Sequence, residues 1–228
     1  METPTLRDLE WASVLYTLTS GYDESYVKTM NILDKYRPFE KRIQEDDPDL
    51  GKIIIDFLNQ WHTRVPKESK VKLREKIREN AHRLDSLFEV SLHEVSERDI
   101  RCLYSEFDEI ERFGPTATSK TLHLLCPNTF VMWDEKIKED FKKRLKNPIG
   151  DSQTYVKFMR EESERFRTVL SDASVSALNE LLEKLSKYDR REFYKKTMAK
   201  VIDEYNWLTK TRNVRIPFQM RISECIKL

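Results

Sequence analysis

Four glycines serve a chain of 228 residues. Average usage is roughly 7%, and tight turns between strands rely on glycine and asparagine to reach positive φ. A chain so short of glycine cannot close many hairpins, which predicts an all-α fold with extended structure only in the tail from Val214 to Ile222. Caps and apolar periodicity place eight or nine helices. One covers Leu6–Leu18 and stops near Gly21, and a second starts at an Asp23 cap and ends at Tyr36, before Pro38. Asp47-Pro48 reads as a cap and first helical residue, with Leu50, Ile53, Ile54, Phe57, Leu58 and Trp61 on one face. Ser69 opens a charged helix that buries Leu73, Ile77, Ala81, Leu84 and Leu87. Ser96 with Asp99 makes a capping box for Ile100, Leu103, Tyr104, Phe107 and Ile110.

Past that point the character changes. Gly114-Pro115 breaks the preceding helix, and a short helix from Thr118 to Leu125 must end before Pro127. Asp134 reads as the cap of a helix reaching Leu145. Three more helices follow near Ser152–Leu170, Ser174–Tyr188 and Arg190–Thr211. The expected architecture is a compact multi-helix protein, one helical domain over residues 1–228. Asn147-Pro148-Ile149-Gly150 is a candidate boundary between two helical lobes.

Charge narrows the partner classes. Lysine plus arginine (41) nearly cancels aspartate plus glutamate (40), the balance of helix faces laced with i,i+4 pairs and not of a polyanion-binding tail. Two local basic stretches stand out nonetheless. One is Lys136, Lys138, Lys142, Lys143, Arg144 and Lys146; the other runs from Arg190 and Arg191 through Lys195, Lys196, Lys200 and Lys210 to Arg212 and Arg215. Three cysteines, Cys102, Cys126 and Cys225, form no CxxC pair, so neither a disulfide framework nor a structural zinc site is expected. His62, His82 and His93 show no metal-binding spacing, and no cofactor is expected. The apolar runs are too short to span a membrane. The N-terminal residues do not read as a signal peptide, so a cytoplasmic protein with no membrane partner is expected.

The residues from Phe113 to Ile137 carry a more specific signal. Gly114, Thr116, Ala117 and Thr118 form a short turn ahead of Lys120, and Phe130-Val131-Met132-Trp133 leads into Asp134. This segment, about a tenth of the chain, resembles the active-site region of the helix-hairpin-helix DNA glycosylases. The resemblance implies that Gly114, Thr116 and Thr118 hold a DNA phosphate and that Lys120 is the nucleophilic amine of a bifunctional member. It also implies that Asp134 faces a flipped nucleotide. The iron–sulfur branch of that superfamily is excluded, because four cysteines are needed.

Chemistry explains why such a pair is useful. A lysine attacks a sugar carbon only when neutral, and desolvation lowers its pKa. A carboxylate beside it handles a proton and stabilises the cation that develops as the glycosidic bond breaks. The extruded base needs flat apolar walls, for which Trp133, Phe130 and Trp61 are the candidates. Lys136, Lys142, Lys143 and Lys146 would contact phosphates of double-stranded DNA. The functional expectation is a DNA-base-excision glycosylase, extending to Schiff-base lyase activity. Plainer roles stand beside each assignment: Asp134 as an ordinary N-cap, Lys120 as a solvated side chain, the aromatic residues as core, and His123 as a satisfied core histidine. Two alternatives therefore stay open, a non-catalytic nucleic-acid-binding module and a helical protein-interaction domain.

Overall fold

The computed structural model describes residues 3–43, 49–145, 150–172, 174–188 and 195–216. Helix accounts for 73% of the described residues, and no strand forms among them. The helices are α1 (Leu6–Thr19), α2 (Asp23–Leu33), α3 (Phe39–Arg42), α4 (Asp49–Gln60), α5 (Ser69–Glu79) and α6 (Ala81–Leu87). Next come α7 (Glu97–Asp108), α8 (Gly114–Leu125), α9 (Glu135–Arg144), α10 (Asp151–Asp172), α11 (Val175–Tyr188) and α12 (Met198–Asn206). A 3-10 turn at Asp34–Tyr36 extends α2, and a π-helical turn at Trp207–Thr211 extends α12.

Several helix ends follow from sequence chemistry. Ser96 and Asp134 cap α7 and α9, accepting from the backbone N–H of Asp99 and Ile137. Thr5 and Asp8 close a full capping box at α1. Other ends differ from expectation. Tyr22, with no side-chain cap bond, is the N-cap of α2, and Asp23 is its buried first residue. The charged helix from Ser69 divides at Asn80, whose backbone sits at φ −105°, ψ 9° and whose amide nitrogen donates to the Lys76 carbonyl. Asparagine offers the backbone that local alternative, so two shorter helices replace one. Pro115 lies inside the first turn of α8, where its missing N–H costs nothing. The expectations on Asp47-Pro48, Asn147-Pro148-Ile149, Lys146, Arg190-Arg191, the tail beyond Ile216 and Cys225 lie outside the described residues.

The middle of the bundle is α8, packed against α2, α4 and α7. Every residue from Ala117 to Leu125 is buried, which accounts for the small and apolar composition of that segment. The chain then doubles back, and residues 130–133 are clamped from two sides. On the α8 side, the Ser119 hydroxyl bonds the Trp133 backbone and His123 Nδ1 lies 2.6 Å from the Phe130 carbonyl. On the α10 side, the Tyr155 hydroxyl donates to the Val131 carbonyl at 2.8 Å, and Met159 Sδ accepts from the Val131 N–H. α10 also packs on α7, and its Tyr155, Phe158 and Met159 belong to the same buried cluster as the residues before position 146. At the far side α1 packs on α11 and α12. Cys102 and Cys126 are free thiols, and burial pushes the Cys126 thiol up to about 12. Among the described residues, no helix is long and apolar enough to cross a membrane.

Candidate active site

Three helix ends meet at one open cavity of about 450 Å³, within the range typical of small-molecule sites, roughly 300–1,000 Å³. The end of α4 contributes Trp61, with His62 and Thr63 just beyond it. The start of α8 contributes Thr116 and, one turn deeper, Lys120. The start of α9 contributes Asp134, Glu135 and Lys136. The remaining wall is made by Tyr16 from α1, Tyr22 ahead of α2, and Asp203, Trp207 and Thr211 from α12 and its π turn.

Lys120 lines this cavity although it is only 7% exposed. Its Nζ donates to the Trp61 carbonyl at 3.1 Å. That carbonyl follows the last residue of α4 and has no intrahelical partner, and the negative end of the helix dipole favours a cation there. Burial nevertheless dominates and lowers the Lys120 pKa to about 8, against the opposing attraction of Asp203 and Asp134. An amine with that pKa is about one-tenth neutral at pH 7, where an ordinary lysine is neutral in well under about one molecule in a thousand.

Asp134 is held at both oxygens. Oδ1 accepts from the Ile137 N–H at 2.8 Å, and Oδ2 accepts from the Thr211 hydroxyl at 2.5 Å. The π turn makes the second contact available. Its wider winding carries Thr211 over the start of α9, where the Thr211 carbonyl also accepts from Lys136 Nζ at 3.2 Å. Such turns recur at functional sites. His62 and Arg64 hold left-handed φ values of 60° and 55°, and backbone strain of this kind clusters at binding sites.

The aromatic wall is continuous. The Trp61 ring lies 4.7 Å from Phe57 and 5.2 Å from Tyr22, and its Nε1 donates to Ser25. Trp207 meets Tyr16 edge-on at 5.1 Å and Tyr22 at 6.3 Å. Behind it lies a buried charged cluster on α12. Lys200 is fully buried among Tyr16, Tyr26 and Trp61, its Nζ 4.3 Å from the Tyr16 ring centroid. It pairs with Asp203 at 3.3 Å and Glu204 at 3.4 Å, and Lys196 reaches Glu204 at 3.1 Å. The two lysines thus balance two carboxylates away from water.

Of the residues singled out from the sequence, Lys120, Asp134, Trp61, Thr116 and Lys136 share the cavity. Phe130 and Trp133 do not line it. Both are fully buried, and Trp133 packs on Tyr104, Tyr155 and Phe158 while its Nε1 donates to the Pro115 carbonyl. The same clamping that aims Asp134 outward turns these rings inward. Thr118 is likewise buried, its hydroxyl donating to the Gly114 carbonyl at 3.0 Å and not available to a phosphate. Gly114 (φ +71°) begins α8, whose N-terminus carries no side-chain cap. On α9, Lys142 pairs with Asp151 and Lys138 with Glu135, whereas Lys143 is exposed. In the second basic stretch Lys196 and Lys200 are interior, whereas Lys195, Arg212 and Arg215 are exposed. His123 is a satisfied core histidine. With the Phe130 carbonyl at Nδ1 and the Tyr26 hydroxyl 2.7 Å from Nε2, burial drives its pKa down to about 3.

Tyr16, Tyr22, Asp203, Trp207 and Thr211 escaped the sequence reading. Only Asp203 left a trace: charged Lys200, Asp203 and Glu204 alternate with Val201, Ile202 and Tyr205 in a helix buried throughout. Among the described residues, no group of three His, Cys, Asp or Glu is placed to hold a metal ion. No family model, curated protein or solved structure matches the chain.

Proposed function

We propose that this chain is a DNA-base-excision glycosylase in which the Lys120 amine attacks the sugar of an extruded nucleotide. One observation carries the reading: a desolvated lysine and a carboxylate open together into an aromatic-walled cavity, the pair that glycosidic cleavage through a Schiff base requires. The cavity has Trp61 and Trp207 as flat faces for a base. The N-terminus of α8, which has no side-chain cap and lies less than two turns from Lys120, offers backbone N–H groups suited to a phosphate.

A second reading has an observation of its own. Both oxygens of Asp134 are occupied in the folded protein, as expected of a structural cap in a non-catalytic DNA-binding module. Borohydride trapping on duplexes carrying oxidised, deaminated or abasic sites separates the two. The glycosylase reading expects a covalent adduct in the wild type and none in Lys120→Ala, with DNA affinity retained. Salt-dependent binding without any adduct across the panel overturns it in favour of the binding module. Absence of binding removes both and leaves a helical protein-interaction domain.

A further inference from the structure

Three carboxylates line the cavity, those of Asp134, Glu135 and Asp203, and they are not equally free to act. Asp134 spends one oxygen on the α9 cap and the other on Thr211. Glu135 pairs with Lys138 at 2.8 Å. Asp203 accepts one hydrogen bond, at Oδ2, from Lys200 at 3.3 Å, and its second oxygen has no hydrogen-bond partner among the described residues. It projects from α12 into the same cavity as Lys120 although it is only 5% exposed.

We propose that Asp203 is the carboxylate that takes the proton from the Lys120 amine, a catalytic use that rests on the glycosylase reading. The groups around Asp203 suit the task. From its own helix it faces Lys200 and Glu204; α8 presents Lys120, α1 presents Tyr16, the cap of α9 presents Asp134, and Asp23 of α2 acts on the same cluster. Glu204 Oε2 accepts from Lys196 and the Ser13 hydroxyl, and Lys200 is shared between Asp203 at 3.3 Å and Glu204 at 3.4 Å. Burial, with the Glu204 charge adding to it and Lys200 opposing, raises the Asp203 carboxyl to about 6. A free lysine and aspartate differ in pKa by about six and a half units. Lys120 at about 8 and Asp203 at about 6 are far closer, so proton transfer between them is only modestly uphill.

The step balances without a further reagent. The Lys120 ammonium gives one proton, relayed by a water in the shared cavity, to the Asp203 carboxylate, leaving a neutral amine and a neutral carboxyl. The freed pair on Nζ forms the bond to the sugar C1′ as the bond from C1′ to the base breaks. The base leaves with the electron pair of the broken C1′–base bond and recovers the proton from Asp203, which returns to its carboxylate form.

The pairing is measured without DNA, by following lysine Nζ resonances in a 15N NMR pH titration with Lys120 assigned from Lys120→Arg. Asp203→Asn should lower the Lys120 pKa further, because the strongest nearby negative charge is gone, and by more than Asp134→Asn does. An unmoved Lys120 titration in Asp203→Asn, or a larger shift in Asp134→Asn, overturns the proposal. If Asp203→Asn fails to fold, the Asp203 carboxyl resonance itself serves. It should titrate at higher pH in Lys120→Met than in the wild type, and an unchanged midpoint overturns the pairing equally. With an abasic duplex, Asp203→Asn should lose the rise in trapping rate across pH 5–7. A wild type that traps no adduct yet shows the NMR shifts sinks the glycosylase reading and leaves the pairing standing. Adduct formation without those shifts does the reverse.

Discussion

The Lys120 amine donates to the Trp61 carbonyl at 3.1 Å and lies 5.1 Å from the centroid of the same residue's indole ring. One residue therefore gives the lysine both a helix-end dipole and a π face. Both favour the ammonium, and burial overrides them. In Trp61→Ala the carbonyl stays while water reaches Nζ, so the Lys120 pKa should rise from about 8 toward 10.5. Lysine NMR reads that shift. Because Trp61 is only partly buried, the stability loss should stay below the roughly 3–5 kcal/mol typical of a core tryptophan.

Capping and chemistry at Asp134 respond to different substitutions. Asparagine keeps an acceptor for the Ile137 N–H and a partner for Thr211, so Asp134→Asn should change stability by less than about 0.5 kcal/mol. Asp134→Ala loses both bonds and should cost about 1–2 kcal/mol in urea denaturation. If Asp134 stabilises a developing cation, the asparagine variant should nonetheless lose turnover sharply. Equal turnover in Asp134→Asn and wild type would leave the residue as a cap alone.

For DNA binding, the lysines of α9 are not equivalent. Lys143 is exposed, whereas Lys142 is engaged with Asp151. Lys143→Ala should lower the slope of log affinity against log salt by about 0.9, and Lys142→Ala by less, since that charge is already partly neutralised. Identical slopes in both variants and the wild type would take α9 out of the interface.

His123 links the core to pH. Its folded pKa, about 3, lies below the ordinary value of 6.5. Between those values the unfolded chain binds a proton that the native protein does not, so stability falls as pH falls from 6.5 toward 3. The stability difference between wild type and His123→Gln should shrink by about 1.4 kcal/mol per pH unit over that fall. Asp203 has the opposite sign: its carboxyl is raised to about 6, so it favours the folded state below that pH. Chemical denaturation between pH 4.5 and 7 measures the His123 effect, and a pH-independent difference would refute it.

The all-α class and the meeting of Lys120 with Asp134 were legible because they depend on local chemistry. Glycine scarcity, two caps and a short break around Gly114 are written within a few residues of where they act. Trp133 and Phe130 misled because an aromatic residue beside a catalytic candidate looks the same whether it faces a pocket or the core. The deciding contacts come from Tyr155, Phe158 and Met159 on α10, more than twenty residues away in the chain. Asp203 was hidden for a related reason. Its segment is rich in lysine and reads as solvated surface until α1 and α2 are seen to cover Lys200 with Tyr16 and Tyr26.

The docking of α1 on α12 has a consequence in time. As the chain leaves the ribosome, Lys120 emerges well before Asp203 and Trp207, and until those arrive its surroundings lack an entire wall. Its altered acidity is thus expected in full only in the finished molecule. Reactivity at that amine reports whether the last described helix has found the first.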